Sequence, residues 1–299
     1  MNPPAPDNPR VQAGDDRLHR LIEEAILEDL GTGDITTDAI VSEDDLGRGE
    51  VRVKEGGVIA GLSVAGEVFR CIDEEIQWKC LVSDGSRVEA GTVVAAAEGA
   101  LAGLLKAERT ALNILQRMSG IATLTARYVE AVKGTQARIT DTRKTPPGLR
   151  ILDKLAVKIG GGINHRFGLD DMVLIKDNHI AAAGGIGPAV QRCLDRVRGM
   201  NYRVNVEVET RNVEEVTEVL KFSGVDRIML DHFSIEMMKR AVGLINRRAE
   251  VEASGNVSLE DVRPIAETGV DVISVGALTH SPRALDISMK IIHTPNSRR

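Results

Sequence analysis

From residue 137 onward the chain repeats one rhythm, and that rhythm limits the fold more than any other feature. Short β-rich runs come in order at 137–140, 172–175, 204–208, 227–230, 251–253 and 272–275. Helical patterns lie between most of them, for example at 213–221, 235–246 and 259–267. Strands joined through helices pair in parallel, because the helix is the crossover that returns the chain to the same end. Six or seven such units in roughly 140 residues fit a closed or nearly closed αβ-barrel better than an open sheet. The alternative is an open doubly wound sheet. No G-x-G-x-x-G follows a strand, which counts against a dinucleotide-binding version.

The first hundred residues read differently. Asp15 is placed to cap a helix whose apolar face is Leu18, Leu21, Ile22, Ala25 and Ile26, with Gly31 as its stop. Val51 and Val53 then alternate with charged residues, as in a half-buried strand, and further short strands follow between glycine turns. This predicts an α+β unit with a largely antiparallel sheet. A long helix over 100–119 carries the stripe Leu101, Leu104, Leu105, Leu112, Leu115 and Met118. Gly120 is its expected boundary, with a second helix from Ile121.

Composition removes several functions. No apolar run approaches the ~18 to 20 residues that span a bilayer. The first ten residues have no apolar core of the signal-peptide kind, so the expected setting is the cytoplasm, without a membrane partner. The 3 cysteines form no C-x-x-C pair, against a disulfide framework or a zinc site. A net charge of −6 and 2% aromatics disfavour nucleic acid.

In an αβ-barrel the active site lies at the carboxyl ends of the strands. Those ends carry Asp141, Thr142, Arg143 and Lys144; Lys176; Glu207 and Glu209; Asp231; Ser254, Gly255 and Asn256; and Gly276 and Ala277 after Val275. The span 141–176 holds 7 Lys/Arg against 4 acids, a local +3 in a chain of −6, and His165 adds a donor. Such a wall suits an anionic ligand, since guanidinium forks match carboxylates and phosphates. Lys154 and Lys158 read instead as a solvated helix face. Glu209 and Asp231 come from neighbouring strands and could hold Mg²⁺ together with substrate phosphates. Glu207 shares the parity of Glu209, so periodicity does not choose between them. The small residues after the last two strands suit a phosphate at the start of a helix. Arg109, mid-helix and far along the chain, reads from composition alone as a surface residue.

The motifs "EDLGTGDITTDAI", "AERTALNILQRMSGIAT", "DTRKTPPGLR", "LAVKIGGGINHRFGLDDMVLIKDNHI", "VEVET", "IMLDHFS", "EASGNV" and "ISVGALTHS" occur in this order. Together they resemble the quinolinate phosphoribosyltransferase family from about Ile22 to Ile292. The resemblance implies an α/β fold: an N-terminal α/β sandwich and an incomplete, about seven-stranded parallel αβ-barrel. Its domains would be a flexible tail over 1–14, the sandwich over 15–118 completed by 280–299, and the catalytic barrel over 119–279. A last helix over 283–292 would return to the sandwich. The implied activity is Mg²⁺-dependent transfer of phosphoribosyl from phosphoribosyl pyrophosphate to quinolinate, with decarboxylation. The products are nicotinate mononucleotide, pyrophosphate and CO₂, a step of de novo NAD synthesis.

Residue by residue, the resemblance places Arg143, Lys144, His165, Arg166 and Lys176 in the quinolinate pocket, with Thr142 on the same loop. It makes Arg109 a residue donated by the partner in a homodimer, which reverses the reading from composition. Glu209 and Asp231 match the acids near ribose and Mg²⁺, so Lys144, Lys176, Glu209 and Asp231 become the catalytic candidates. Ser254, Gly255 and Asn256, with Val275, Gly276 and Ala277, match the turns that hold the 5′-phosphate. The family commonly reads Leu-Asp-Asn where this chain has Leu230-Asp231-His232. The alternatives are a same-fold enzyme with another acceptor, such as nicotinate, and a non-catalytic anion-binding barrel.

Overall fold

A computed structural model describes residues 9–294, with side chains described for 16–292. Of the expected tail, residues 1–8 lie outside the described residues. The chain runs α1 (Pro9–Leu30), α2 (Ile35–Ile40), β1 (Leu46–Val53), β2 (Gly57–Val58), α3 (Leu62–Ile72), β3 (Gln77–Cys80), β4 (Arg87–Val88), β5 (Val93–Ala100) and α4 (Leu101–Ala131). It continues as β6 (Arg138–Thr140), α5 (Arg150–Ile159), β7 (Val173–Ile175), α6 (Asp177–Ala183), α7 (Ile186–Arg198), β8 (Val206–Thr210), α8 (Val213–Val219) and β9 (Arg227–Asp231). The last elements are α9 (Ile235–Ile245), β10 (Glu250–Ser254), α10 (Val262–Ala266), β11 (Val272–Ser274), α11 (Ala277–His280) and β12 (Ile287–Thr294). Two compact units result. One takes the chain up to Leu124, Pro146–Gly160 and the chain from Pro282 on. The other takes Thr125–Thr145 and Gly161–Ser281. The segment 146–160 thus leaves the span expected for the barrel.

The first unit is built on an antiparallel sheet in the order β12-β1-β5-β3. Along β1 the inward residues Gly47, Gly49, Val51 and Val53 alternate with Arg48 and Arg52, which face water. This is the signature of a sheet with one covered face. Its core includes Ile22, Ile59, Phe69, Leu104, Leu115 and Met118, and the Phe69 ring stacks on Trp78 at 5.0 Å. Asp153 of α5 is fully buried and takes a two-bond grip from Arg117, Nε–Oδ1 and Nη2–Oδ2 both at 2.8 Å.

Four expectations change here. Helix α1 begins at Pro9, so Asp15 sits inside it and does not cap it. Helix α4 runs through Gly120 without a break. A Cβ at Gly120 would lie 2.1 Å from the Arg283 carbonyl oxygen, so the glycine admits a crossing backbone and does not stop the helix. The return over 287–294 is a strand and not a helix: it pairs antiparallel with all of β1, from Leu46↔Thr294 to Val53↔Ile287. Lys154 is 4% exposed, so it does not belong to a solvated face, whereas Lys158 does.

The second unit is built on a parallel sheet in the order β6-β11-β10-β9-β8-β7. About seven strands were expected; six pair, and a single parallel bridge, Thr140↔Ile163, extends the sheet beyond β6. Every residue of β8 and of β11 is buried, as expected where helices cover a parallel sheet. Two helices, α6 and α7, fill the connection from β7 to β8.

Candidate functional site

The carboxyl ends of the parallel strands surround a cavity of about 570 Å³. Each wall is set by a strand end or the first turn after it. Thr142, Arg143 and Lys144 follow β6, and the Thr142 Oγ1 accepts the Lys144 N–H at 3.0 Å, which tightens that turn. His165 and Arg166 follow the bridge at Ile163. Lys176 leaves β7 directly ahead of α6. Its backbone N–H donates to His179 Nδ1 at 3.0 Å, so His179 shapes the helix start. Glu209 and Arg211 come from the end of β8, where the Asn212 side chain accepts the Glu215 N–H at 2.8 Å and starts α8. Asp231 ends β9 and His232 follows it; Ser254, Gly255 and Asn256 close β10.

Arg143, Lys144, Arg166 and Lys176 thus share one cavity with Glu209 and Asp231. Lys176 Nζ lies 2.8 Å from Glu209 Oε2, joining the basic and acidic sides. Arg166 is 8% exposed, and its Nη1 donates to the Met172 carbonyl at 3.0 Å. Its Nε is buried without a hydrogen-bond partner among the described residues. Burial, and then the charge of Arg143, hold its pKa below the usual arginine value. A buried cation short of partners is a strong site for an incoming anion.

Below the mouth lies a cluster that strand-end reasoning did not reveal. Glu207 and Glu252 are fully buried, and His165 Nε2 stands 3.0 Å from Glu207 Oε2 and 3.4 Å from Glu252 Oε2. Burial lowers the His165 pKa, but the two glutamates outweigh it and push it up to about 9. Glu207 is pushed up to about 7 by burial and by Glu252. Burial also raises Glu252, but His165 and Arg227 outweigh it and hold it below the usual range. One contact opposes the imidazolium: the Arg166 backbone N–H donates to His165 Nδ1 at 2.8 Å. Two N–H groups cannot face each other at that distance, so the neutral ring with its proton on Nε2 fits this geometry.

Other expected residues fall elsewhere. Arg109 is exposed on α4 in the first unit and does not line this cavity. Val275, Gly276 and Ala277 do not line it either; Ser274 does. The Val275 N–H already donates to the Thr140 carbonyl at 2.9 Å and is not available to a phosphate. Residues not foreseen at the cavity include Asp177, Arg211 and Glu252, with Arg211 Nη2 2.7 Å from Asp177 Oδ2. Arg211 had a signal: it follows β8, whose end was placed two residues early.

His232 and Asn256 line the cavity with left-handed backbones, φ 57° and 47°. A Cβ at Gly255 would meet the His232 ring and backbone at 2.8–2.9 Å, so these two turns are pressed together and require glycine.

Glu209 and Asp231 offer hard carboxylate oxygens from adjacent strands to one cavity. Lys176 occupies one oxygen of Glu209, and the remaining donor set fits Mg²⁺ bound by one or two carboxylates plus substrate oxygens.

A parallel sheet with a cationic and acidic cavity at its carboxyl edge defines an α/β protein built to take anions. The family follows from comparison with known proteins. Residues 34–119 match the quinolinate phosphoribosyl transferase N-terminal domain, and residues 121–290 match its C-terminal domain. The chain is 45% identical to a quinolinate phosphoribosyltransferase [decarboxylating] of Nicotiana glauca, over 92% of this chain and 82% of that one. It is 46% identical to a probable nicotinate-nucleotide pyrophosphorylase [carboxylating] of Synechocystis sp., over 91% of each. The solved structure of NadC from Streptococcus pyogenes superposes with a TM-score of 0.88 at 38% identity, covering 93% of this chain and 97% of that one. The chain belongs to the quinolinate phosphoribosyltransferase family.

Proposed function

We propose that the chain transfers a phosphoribosyl group from phosphoribosyl pyrophosphate to quinolinate and decarboxylates it, giving nicotinate mononucleotide, pyrophosphate and CO₂. One observation carries this reading: Arg143, Lys144, Arg166 and Lys176 share a cavity of about 570 Å³ with Glu209 and Asp231. Quinolinate has two carboxylates and the donor three phosphate groups. Bringing both together costs several kcal/mol unless cations are already in place.

Arg143, Arg166 and Lys176 bind and orient the quinolinate carboxylates. Ser254, Gly255 and Asn256 approach the 5′-phosphate. The ring nitrogen forms its bond to the ribose carbon as pyrophosphate leaves with the bonding pair. Positive charge grows on the ribose in that transition state, and Glu209 and Asp231 stabilise it. Lys144 faces the departing negative charge. Bound Mg²⁺, held by Glu209 and Asp231, would neutralise phosphate oxygens. Ribosylation leaves the ring nitrogen cationic; as the bond to CO₂ breaks, its electron pair stays on the neighbouring ring carbon, stabilised by that charge, and then takes up a proton from water, so no separate base is needed.

The active form in this reading is a homodimer in the cytoplasm, with Arg109 reaching the partner's cavity. The exposure of Arg109 on α4 supports this role. No helix of the described residues is long and apolar enough to cross a membrane. The test is Mg²⁺-dependent release of labelled CO₂ from carboxyl-labelled quinolinate with phosphoribosyl pyrophosphate. Folded protein that releases none contradicts the reading. Mixing inactive Arg109→Ala with inactive Lys144→Ala should restore part of the activity through hybrid dimers; no recovery removes the shared site.

A further inference from the structure

The first unit carries a side-chain cluster that the proposed reaction does not use. Helix α1 packs on α3, and each brings two side chains to the seam. From α1 come His19 and Glu23, and from α3 come Glu67 and Cys71. Residues four apart on a helix share a face, so two such pairs on packed helices converge. The ligating atoms of His19, Glu67 and Cys71 all lie within 4.8 Å of one another. His19 Nδ1 stands 3.7 Å from Glu67 Oε1, and His19 Nε2 stands 3.4 Å from Glu23 Oε1. Arg70 pairs with Glu67 Oε2, which leaves Oε1 toward the imidazole. A carboxylate on Nε2 keeps the proton there and leaves Nδ1 a bare lone pair, the arrangement that orients a metal-binding histidine.

The field at this seam favours a cation. A groove of about 900 Å³ runs beside the cluster. Glu23, Glu67, Asp73 and Glu74 line it, against Arg70 as the one Lys or Arg among its described lining residues. Cys71 sits in the last turn of α3, where the unpaired carbonyls of a helix end add partial negative charge. Burial, and then the charges of Glu67 and Glu23, push the Cys71 thiol up, so both carboxylates act on the sulfur. Tetrahedral Zn²⁺, with bonds of about 2.0–2.3 Å, sets its ligand atoms about 3.3–3.8 Å apart. The His19 and Glu67 side chains are 53% and 31% exposed, free enough to rotate to that spacing.

We propose that His19, Glu67 and Cys71 form a Zn²⁺ site that clips α1 to α3, with Glu23 orienting the imidazole from behind. No C-x-x-C spacing is needed, because the ligands come from two helices. The donor set mixes nitrogen, sulfur and oxygen. That suits Zn²⁺ and excludes Mg²⁺, which demands oxygen ligands in an octahedron. The site therefore differs in donor chemistry from the carboxylate pair Glu209 and Asp231. Three protein ligands leave the fourth position to water.

Co²⁺ is the probe, because it enters Zn²⁺ sites and reports a bound thiolate by charge-transfer absorption in the near ultraviolet. Added to metal-free, full-length wild-type protein, it should give that band with a single equivalent per chain. Zn²⁺ should remove the band, and excess Mg²⁺ should not. The band should vanish in folded Cys71→Ser. His19→Ala should weaken Co²⁺ binding by about 100-fold and Glu23→Gln by about tenfold. Zn²⁺ should also raise the urea midpoint of wild-type protein, and by much less that of His19→Ala. Wild-type protein without the band overturns the proposal. So does a band that persists in Cys71→Ser, since Cys80 or Cys193 would then carry it. Equal Co²⁺ affinity in wild type and His19→Ala, or displacement by Mg²⁺ as readily as by Zn²⁺, overturns it as well.

Discussion

The two sheets treat charge in opposite ways. In the antiparallel sheet, Arg48 of β1 and Glu98 of β5 pair at 2.8 Å with side chains 50% and 55% exposed. In the parallel sheet, Glu207 and Glu252 are fully buried with His165 and Arg227. A strand with one wet face keeps its ions at little cost. A strand covered on both sides must meet the desolvation of each carboxylate within the protein. The contrast shows where charge on a strand carries information: on β1 it reports an exposed face, and on β8 and β10 it marks the floor of the cavity.

Three substitutions test that contrast. The largest effect is expected at the mouth, where Glu209→Gln should lower kcat/KM by on the order of 10²–10³-fold in steady-state assays. A loss under tenfold in folded protein would separate the acidic side of the cavity from the chemistry. Next comes the floor. Glu252→Leu takes one of the buried carboxylates away from both Arg227 and His165 and should destabilise by about 3–5 kcal/mol in urea unfolding. A cost below about 1 kcal/mol would erase the difference between the sheets. Smallest is Arg48→Ala on β1, expected within about 0.5 kcal/mol of wild type, since exposed pairs contribute little. A loss of about 2 kcal/mol there would show that the wet face is not as tolerant as its exposure implies.

Most of the parallel sheet could be read in the sequence because its strands are short apolar runs separated by helical patterns. Each strand from β6 to β11 falls within two residues of a run seen there. The residues at their ends could be read for the same reason, since strand direction fixes which end carries the site. What stayed hidden depends on contacts between distant residues. Nothing near Gly120 shows that residue 283 crosses it. The segment Ile287–Thr294 is apolar at spacings that suit a helix or a strand, and only pairing with β1 decides. Glu207 and Glu209 share parity along β8; burial separates their tasks, with Glu207 at 0% exposure in the floor and Glu209 at 8% lining the mouth.

The pairing of β1 with β12 also sets an order in time. The partner of Leu46–Val53 is Ile287–Thr294, more than two hundred residues later. A ribosome therefore emits all six strands of the parallel sheet before it emits the strand that completes the antiparallel one. Until then one edge of β1 stands open while the second unit is already able to fold. The unit translated first is the last to close, and a chain cut short after Ser281 would be released with that edge exposed to other chains.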